Sequence, residues 1–356
     1  MQLFMNLSEE SQQLDQAPFP LKLDFHAPKG RYKIIHQALI LPDLNAPLHY
    51  FNFSTLIGQP NVPMLRNDSA IQTTALDTVS TLATISPHMV GHAHHYSLEK
   101  DCQLRDDYYQ FADEALLTGQ VPKFKLNRKD DELSFDFDIE LQPLLSQFSK
   151  LRIGLFDHWS LMCHCQGQLK YKDQHYEIDQ FGAFEYARSV NVPYLPLHFF
   201  TYQVINLSNQ RQLLLSHIRN GFNQIVQSRL YLKNFSQSTV ELFDDYVYFR
   251  VHRVYPKVTT PNGQEMYLPR MFEWCFETNK KKIIIQCESR GDFKFGLAAG
   301  FVGSFSYQVQ IDDETEEGSS GYCEYIDCRP LKWQEKDETE KLQQQIMQIA
   351  PCALKK

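Results

Sequence analysis

The sequence predicts an all-β protein made of two tandem antiparallel β-barrels and a C-terminal helix. Three observations lead to this prediction. Apolar and polar residues alternate in many short segments, turn residues separate these segments at regular intervals, and one pattern of residues occurs twice along the chain. Short strands at regular spacing favour sandwiches or barrels over alternating strands and helices.

The alternation is clearest in the segment from Leu133 to Leu141, which reads LSFDFDIEL. Its five apolar residues fall on one face of a strand and its four polar residues on the other. This pattern predicts a half-buried antiparallel strand with its charged face in water. Asn-Gly pairs at 220–221 and 262–263 are typical of the turns between such strands.

The repeated pattern is G-x-[LF]-x-Y, followed by G-x-x-E-Y. It occurs from Gly167 and Gly182, and again from Gly303 and Gly321. The offsets are 303 − 167 = 136 and 321 − 182 = 139 residues. A repeat of this length fits a duplicated barrel-sized domain better than a solenoid.

The domain boundary is predicted in the segment from Val192 to Pro196, because its two prolines prevent regular strand pairing. Near the C-terminus, Leu342, Ile346 and Ile349 have helical spacing, and Pro351 ends the run. The predicted organisation is therefore an N-terminal arm, a first barrel, a second barrel and a C-terminal helix with its tail, over residues 1–20, 21–196, 197–333 and 334–356.

Composition excludes several classes of protein. The chain has 356 residues, 43% of them hydrophobic, which is enough for a sizeable core. Its net charge of −8 gives little attraction for phosphate backbones, so we do not expect a nucleic-acid partner. No apolar stretch approaches the roughly 20 residues of a membrane-spanning helix. The sequence lacks a secretory signal, and its eight cysteines form no CxxC pair, which favours reduced thiols and a cytoplasmic location.

The order of several motifs resembles that of the two-domain lipocalin-like proteins, which include AttH-like proteins, carotenoid 1,2-hydratases and Diels–Alder-type cyclases. These motifs are Asp157-His158-Trp159-Ser160, the segment from Gly182 to Arg188, and Glu324-Tyr325. The segments Leu41 to Leu44 and Phe199 to Val204 are similar to those of an uncharacterised bacterial group within that superfamily. The resemblance implies lipocalin-like barrels, a hydrophobic small-molecule ligand, and hydration, isomerisation or cyclisation without a cofactor.

Glu185 is the first candidate for catalysis. On a strand it shares a face with Ala183 and Ala187, and burial among such neighbours would raise the pKa of its carboxyl group and suit it as a general acid. The alternative is a structural glutamate paired with Arg188. Glu324 is its counterpart in the repeat, and we interpret it as structural.

Asp157 and Tyr186 are predicted to position the substrate of Glu185. Asp157 shares the apolar face of its strand with Trp159, whereas His158 points to the other face, so Asp157 and His158 cannot form a local acid–base pair. The alternative is that Asp157 caps a turn and Trp159 fills the core.

Aromatic and polar residues on strands are the candidates for ligand binding, because aromatic side chains combine a large apolar surface with one polar atom. His217 lies on an apolar face, and such a histidine is more often a core residue. The predicted ligand-binding residues are Trp159, Arg188, Tyr202, His217, Glu273, Trp274 and Tyr325.

Four histidines, His88, His92, His94 and His95, lie close together in the sequence. His92 and His94 would point to one face of a strand and could bind a metal as a pair, but no third ligand accompanies them. We therefore predict no metal and no other cofactor, and leave metal binding by this pair open. The chain also lacks a G-x-S-x-G elbow, a P-loop and a dinucleotide-binding motif.

Together these observations predict a protein that binds a hydrophobic small molecule, such as an isoprenoid, polyketide or fatty acyl compound. Conversion of this molecule would be hydration, isomerisation or cyclisation without a cofactor, and the sequence leaves open whether there is catalysis. The alternatives are a non-enzymatic carrier or sensor and a structural partner protein. The oligomeric state is not predicted.

Overall fold

The computed structural model describes residues 23–87, 92–148, 154–244, 246–296 and 298–329, with His92 described by its backbone alone. These residues form two large antiparallel sheets and very little helix. The all-β prediction is confirmed. The predicted N-terminal arm and C-terminal helix lie outside the described residues. No helix in the described part of the chain has the length and apolar character needed to cross a membrane.

The first sheet contains eleven strands of the described residues, in the order β4-β3-β2-β1-β11-β10-β9-β8-β7-β6-β5, and it curves into a nearly closed barrel. Its edge strands β4 and β5 follow each other in the chain through one short helix, α1, Leu98–Asp101. The strands are β1 Tyr32–Leu41, β2 Phe51–Ile57, β3 Thr78–Ile85, β4 His92–Ser97, β5 Cys102–Arg105, β6 Tyr108–Phe111, β7 Ala115–Gln120, β8 Lys123–Arg128, β9 Leu133–Gln147, β10 Phe156–Tyr171 and β11 Gln174–Val190.

The second sheet has the order β15-β14-β13-β12-β23-β22-β20-β19-β16, with β21 beside β22, and the pair β17 and β18 stands apart. It forms a half-barrel where the sequence predicts a full one. The strands are β12 Leu197–Leu207, β13 Arg211–Asn220, β14 Ile225–Asn234, β15 Thr239–Phe243, β16 Val247–Val254, β17 Val258–Thr259, β18 Glu265–Met266, β19 Pro269–Glu277, β20 Lys282–Ser289, β21 Lys294–Phe295, β22 Phe301–Ile311 and β23 Glu314–Asp327.

The two sheets share one plan. In each, the last hairpin returns to pair with the first strand of the same sheet, β11 with β1 and β23 with β12. Glu185 lies opposite Ala38 in the first sheet, and Glu324 lies opposite Tyr202 in the second. The repeated sequence pattern therefore occupies the same place in both sheets.

The interior of the first sheet is filled by its own aromatic side chains. Phe51 makes edge-to-face contacts with Phe135 and Phe137, and the rings of Phe124 and Phe184 stack 4.8 Å apart. The predicted alternation in β9 is confirmed, since its odd-numbered residues from 133 to 141 are buried. Such packing is typical of a core and leaves the ring surfaces in contact with each other.

The faces opposite these interiors pack against each other, and we call this contact layer the seam. Hydrogen bonds cross it, for example from Asn206 Nδ2 to the Phe181 carbonyl at 2.7 Å and from Gln227 Nε2 to the Phe148 carbonyl at 2.6 Å. The buried apolar residues of the seam are Ala38, Ile40, Tyr50, Leu82, Phe148, Ala183, Tyr202, Val204, Leu214, Tyr231, Val302 and Tyr322.

Candidate functional site

Glu185 projects into the seam from the middle of β11 and is 3% exposed. Its Oε2 lies 3.3 Å from His158 Nε2 and 3.8 Å from His36 Nε2. The two histidines come from β10 and β1, on either side of Ala187 in β11. Residues two apart in a strand share a face, so this register directs both imidazoles at the same carboxylate.

These histidines decide the protonation state of Glu185. Burial alone would raise the pKa of its carboxyl group, but hydrogen bonding and the charges of His158 and His36 outweigh burial and lower it to about 2. Burial lowers the pKa of His36, and Glu185 more than reverses this, so the net shift is upward. The predicted upward shift for Glu185 is therefore wrong, and Glu185 is an anion at neutral pH. Arg188 is not its partner.

Glu324 brings a second carboxyl group into the seam from β23. Tyr322 Oη donates a hydrogen bond to Glu324 Oε1 at 2.8 Å. Burial and the negative charge of Glu185 raise the pKa of Glu324 to about 7. The sequence assigns Glu324 a structural role, yet its environment suits a proton donor at neutral pH.

The repeat explains why the two glutamates differ. His36 lies two residues before Ala38, the partner of Glu185 in β1. In the second sheet Phe200 takes this place, two residues before the partner of Glu324 in β12. The position equivalent to His158 is Gly300, where a Cβ atom would lie 2.6 Å from the Tyr325 carbonyl oxygen. The second sheet has the same backbone plan, but at these two positions it has no imidazole to stabilise an ionised Glu324.

Partly exposed side chains lie next to this pair of glutamates. His36, His158 and Glu324 remain partly exposed although the adjacent residues of their strands are buried or nearly so. The ring of Phe148 lies 4.3 Å from that of His158, and Phe200 is partly buried next to the seam. We call the surface formed by these five residues the seam crevice. Glu185 lies behind it.

Some buried polar atoms of the seam have no hydrogen-bond partner among the described residues. They include Ser216 Oγ, Gln212 Oε1 and Lys233 Nζ. Buried polar atoms are nearly always paired, and exceptions commonly mark the place of a water or a ligand. The seam therefore contains hydrogen-bond donors and acceptors that could bind a water or a ligand.

The structure does not bring Asp157 and Tyr186 to Glu185, which corrects the predicted catalytic set. Both face the interior of the first sheet, because neighbouring residues of a strand point to opposite sides. Tyr186 Oη donates to the His26 carbonyl at 3.0 Å, and Gln147 Nε2 donates to Asp157 Oδ1 at 2.7 Å. Neither side chain faces the seam, into which Glu185 projects.

Trp159 and Arg188 lie at the same end of the first sheet. Trp159 is fully buried, and its Nε1 donates to the Asp24 carbonyl at 3.3 Å. Arg188 is paired with Asp24 and lies beside an open cavity of about 500 Å³, which is lined by residues 23–26 and 29–32 as well as Arg188. Arg188 thus keeps its place as a predicted ligand-binding residue, away from the seam.

The rings of His217 and Trp274 contact each other inside the second sheet, and Tyr325 belongs to the same core. Arg219 Nε donates to His217 Nε2 at 2.7 Å, and burial with the charge of Arg219 lowers the pKa of His217 to about 3. His217 is therefore a neutral core residue, and Trp274 Nε1 donates to Gln203 Oε1 at 2.7 Å. The structure does not bring these three residues to the seam crevice.

The remaining predicted residues are separated as well. Glu273 lies on the other face of its strand, 4.0 Å from both Arg250 and His252. Tyr202 is the predicted ligand-binding residue that reaches the seam, where burial and Glu185 raise the pKa of its hydroxyl group. His36 and Lys233 were not predicted, because a single histidine or lysine in a strand carries no sequence signal without its cross-strand partners.

The histidine cluster provides no metal site among the side chains that the structure describes, since no three potential ligands come together there. His94 Nδ1 lies 2.5 Å from Glu114 Oε2. His88 and the side chain of His92 lie outside the described residues, so the predicted pair is not tested.

Two antiparallel sheets of one plan, packed together around a pair of glutamates, give the chain a lipocalin-like fold of two sheets. The chain belongs to DUF6670, a family of unknown function, whose model matches residues 54–340. No curated protein matches the sequence.

Two solved structures have a similar fold. An AttH-like protein from Nitrosomonas europaea has a TM-score of 0.57 at 10% identity, covering 87% of this chain and 99% of its own. Kievitone hydratase from Nectria haematococca has a TM-score of 0.54 at 10% identity, covering 83% and 89%. At this identity the likeness shows the fold, and the resemblance predicted from the sequence is confirmed at that level.

Proposed function

We propose that this protein binds a hydrophobic small molecule in the seam crevice and converts it by proton transfer without a cofactor. The observation that carries this proposal is the pair of glutamates in one seam, of which Glu185 lies beside two imidazoles and Glu324 accepts a hydrogen bond from Tyr322. Two carboxyl groups whose pKa values are pushed apart are a common arrangement for acid–base catalysis. A neutral Glu324 and an anionic Glu185 supply the two forms that such a reaction needs.

In this reaction Glu324 donates its proton to the substrate, because it is both partly exposed and protonated near neutral pH. The positive charge that develops on the substrate is stabilised by the Glu185 carboxylate and by the ring of Phe148. Loss of a proton to the Glu324 carboxylate, or addition of water, completes an isomerisation, cyclisation or hydration. Glu324 is returned to its acid form by the proton released in that step.

The surroundings of the crevice support an apolar ligand. Phe156 lies two residues from His158 on the same face of β10, with its ring 6.0 Å from the imidazole, and it is 42% exposed. Leu155 beside it is 46% exposed. Exposed apolar residues next to a polar crevice are typical of a site that takes a hydrophobic molecule with one reactive group. Kievitone hydratase has a similar fold, which supports addition of water as one of the candidate reactions.

The open cavity beside Arg188 favours a second candidate function, a carrier. Arg188 is 12% exposed and also lies 4.4 Å from the ring of Tyr32, so a lipophilic acid could place its carboxylate near the guanidinium. In that case the ligand would bind at the end of the first sheet and the seam would only hold the sheets together.

Native mass spectrometry of the protein after incubation with a bacterial lipid extract tests both candidates. We expect one apolar compound to be retained and converted by the wild-type protein. Glu324→Gln is expected to retain the same compound and to convert it at least about a hundredfold more slowly, because the proton donor is lost. Unchanged conversion by Glu324→Gln would contradict the proposal. Retention that depends on Arg188, without conversion, would establish the carrier.

A further inference from the structure

Lys233 is a fully buried lysine of β14, on the strand face that also presents Arg229 and Tyr231 to the seam. Its two neighbours on that face both donate hydrogen bonds to the Gln147 carbonyl across the seam. Lys233 Nζ has no hydrogen-bond partner among the described residues. The cross-strand neighbour Gln212 likewise has an unpaired Oε1.

An unpaired ammonium group in this position would be very costly, since the charge has lost its water and gained no partner. Burial lowers the pKa of Lys233 to about 7, although the charges of Glu185 and Cys163 act in the opposite direction. A large fraction of Lys233 is therefore a neutral amine at neutral pH. A neutral, desolvated amine is a nucleophile towards carbonyl groups.

We propose that Lys233 is the nucleophile of the seam and forms an imine with an aldehyde or ketone ligand. This inference rests on the proposed function, because it takes the seam as the ligand site, and it deepens that function by naming a carbonyl compound as the ligand. Before it leaves as water, the carbonyl oxygen would accept a hydrogen bond from an unpaired polar group of the seam, such as the Ser216 hydroxyl group.

The step balances without an oxidant or reductant. The lone pair of Nζ forms a bond to the carbonyl carbon while the C=O π pair moves to oxygen, and one proton passes from nitrogen to that oxygen to give a carbinolamine. The C–O bond then breaks, and the second nitrogen proton leaves with the hydroxyl group as water. The products are a C=N bond and one water molecule.

Lys294 provides a matched comparison in the same chain. It is 3% exposed, and burial lowers the pKa of its amine to about 8. However, its Nζ donates a hydrogen bond to the Ser86 carbonyl at 2.8 Å. Lys294 is thus buried and hydrogen-bonded, whereas Lys233 is buried and not hydrogen-bonded within the described residues. A higher reactivity of Lys233 would therefore be due to its unpaired amine and not to burial alone.

The test is reductive trapping with hexanal and cyanoborohydride near pH 7, followed by peptide mass spectrometry of the full chain. A saturated aldehyde is used because it cannot undergo conjugate addition to cysteine. We expect N-hexyl modification at Lys233 to exceed that at Lys294 and at exposed lysines by about tenfold or more, since exposed lysines are almost entirely protonated at this pH. Labelling at Lys233 no greater than at Lys294 would overturn the proposal.

Two variants separate this inference from the proposed function. Lys233→Met should lose the preferred label while the labelling of the other lysines stays the same. Glu324→Gln should keep the Lys233 adduct, because imine formation does not need Glu324. Preferred labelling together with unchanged conversion in Glu324→Gln would uphold the carbonyl site and remove the proton-transfer reaction. The wild-type peptide map decides the question even if Lys233→Met does not fold.

Discussion

Glu185→Gln is expected to lower the free energy of unfolding by about 3 kcal/mol at pH 6, whereas Glu324→Gln is expected to change it by less than about 1 kcal/mol. Removing the Glu185 carboxylate leaves His36 and His158, which are partly exposed, without the buried negative charge that they share. Glu324 is already protonated at this pH, so an uncharged amide replaces an uncharged acid. Urea unfolding of the two variants and the wild type measures the difference.

The two glutamates contribute to the pH dependence of wild-type stability with opposite signs. The folded protein holds a proton on Glu324 up to about pH 7, whereas the unfolded chain releases it near 4.5, so this group makes stability fall as pH rises between these values. Glu185 has the reverse shift, from 4.5 to about 2, and its contribution is present above pH 4.5 and lost as pH falls through 2. Equal losses in both variants at pH 6 would contradict the assignment of the proton to Glu324.

Lys233→Met is expected to raise the free energy of unfolding by about 3 kcal/mol at pH 7, because methionine fills the same space without an unpaired amine. The gain should shrink at higher pH. Between about pH 7 and the ordinary value of 10.5 the unfolded chain binds a proton that folded Lys233 does not, so wild-type stability rises with pH across this window.

Thermal or urea unfolding of wild type and Lys233→Met from pH 7 to 9.5 measures this gain and its decline. Lys294→Met is the control, and we expect it to be destabilised because it leaves the Ser86 carbonyl unpaired. A loss of stability in Lys233→Met comparable to that of the control would show that Lys233 has a hydrogen-bond partner.

The strands could be predicted from sequence because alternation is a local property. The segment from Leu133 to Leu141 shows this, and the same alternation correctly places Glu185 on the face of Ala183 and Ala187. The same alternation requires Tyr186 to point away from Glu185, because the two residues are neighbours in one strand. The predicted catalytic set overlooked this requirement. A face assigned by alternation says which residues share a side, but not whether that side is the barrel interior or the seam.

The pKa of Glu185 could not be predicted, because it depends on a cross-strand register. His36 is 149 residues earlier in the chain (185 − 36 = 149), and nothing near it in the sequence indicates that β1 pairs with β11 at Ala187. The different states of the two glutamates follow from His36 and Phe200 occupying equivalent places. That equivalence becomes visible only when the pairing of β1 with β11 is compared with the pairing of β12 with β23.

The direct test of the glutamate pair is a carbon-13 NMR titration of glutamate side-chain carboxyl groups in wild-type protein, Glu324→Gln and Glu185→Gln. We expect one wild-type carboxyl group to titrate with an apparent pKa near 7 and to vanish from Glu324→Gln. In Glu185→Gln the same group should titrate at lower pH, because the neighbouring negative charge is gone. A wild-type spectrum in which every glutamate titrates below about pH 5.5 would contradict the presence of a protonated acid in the seam.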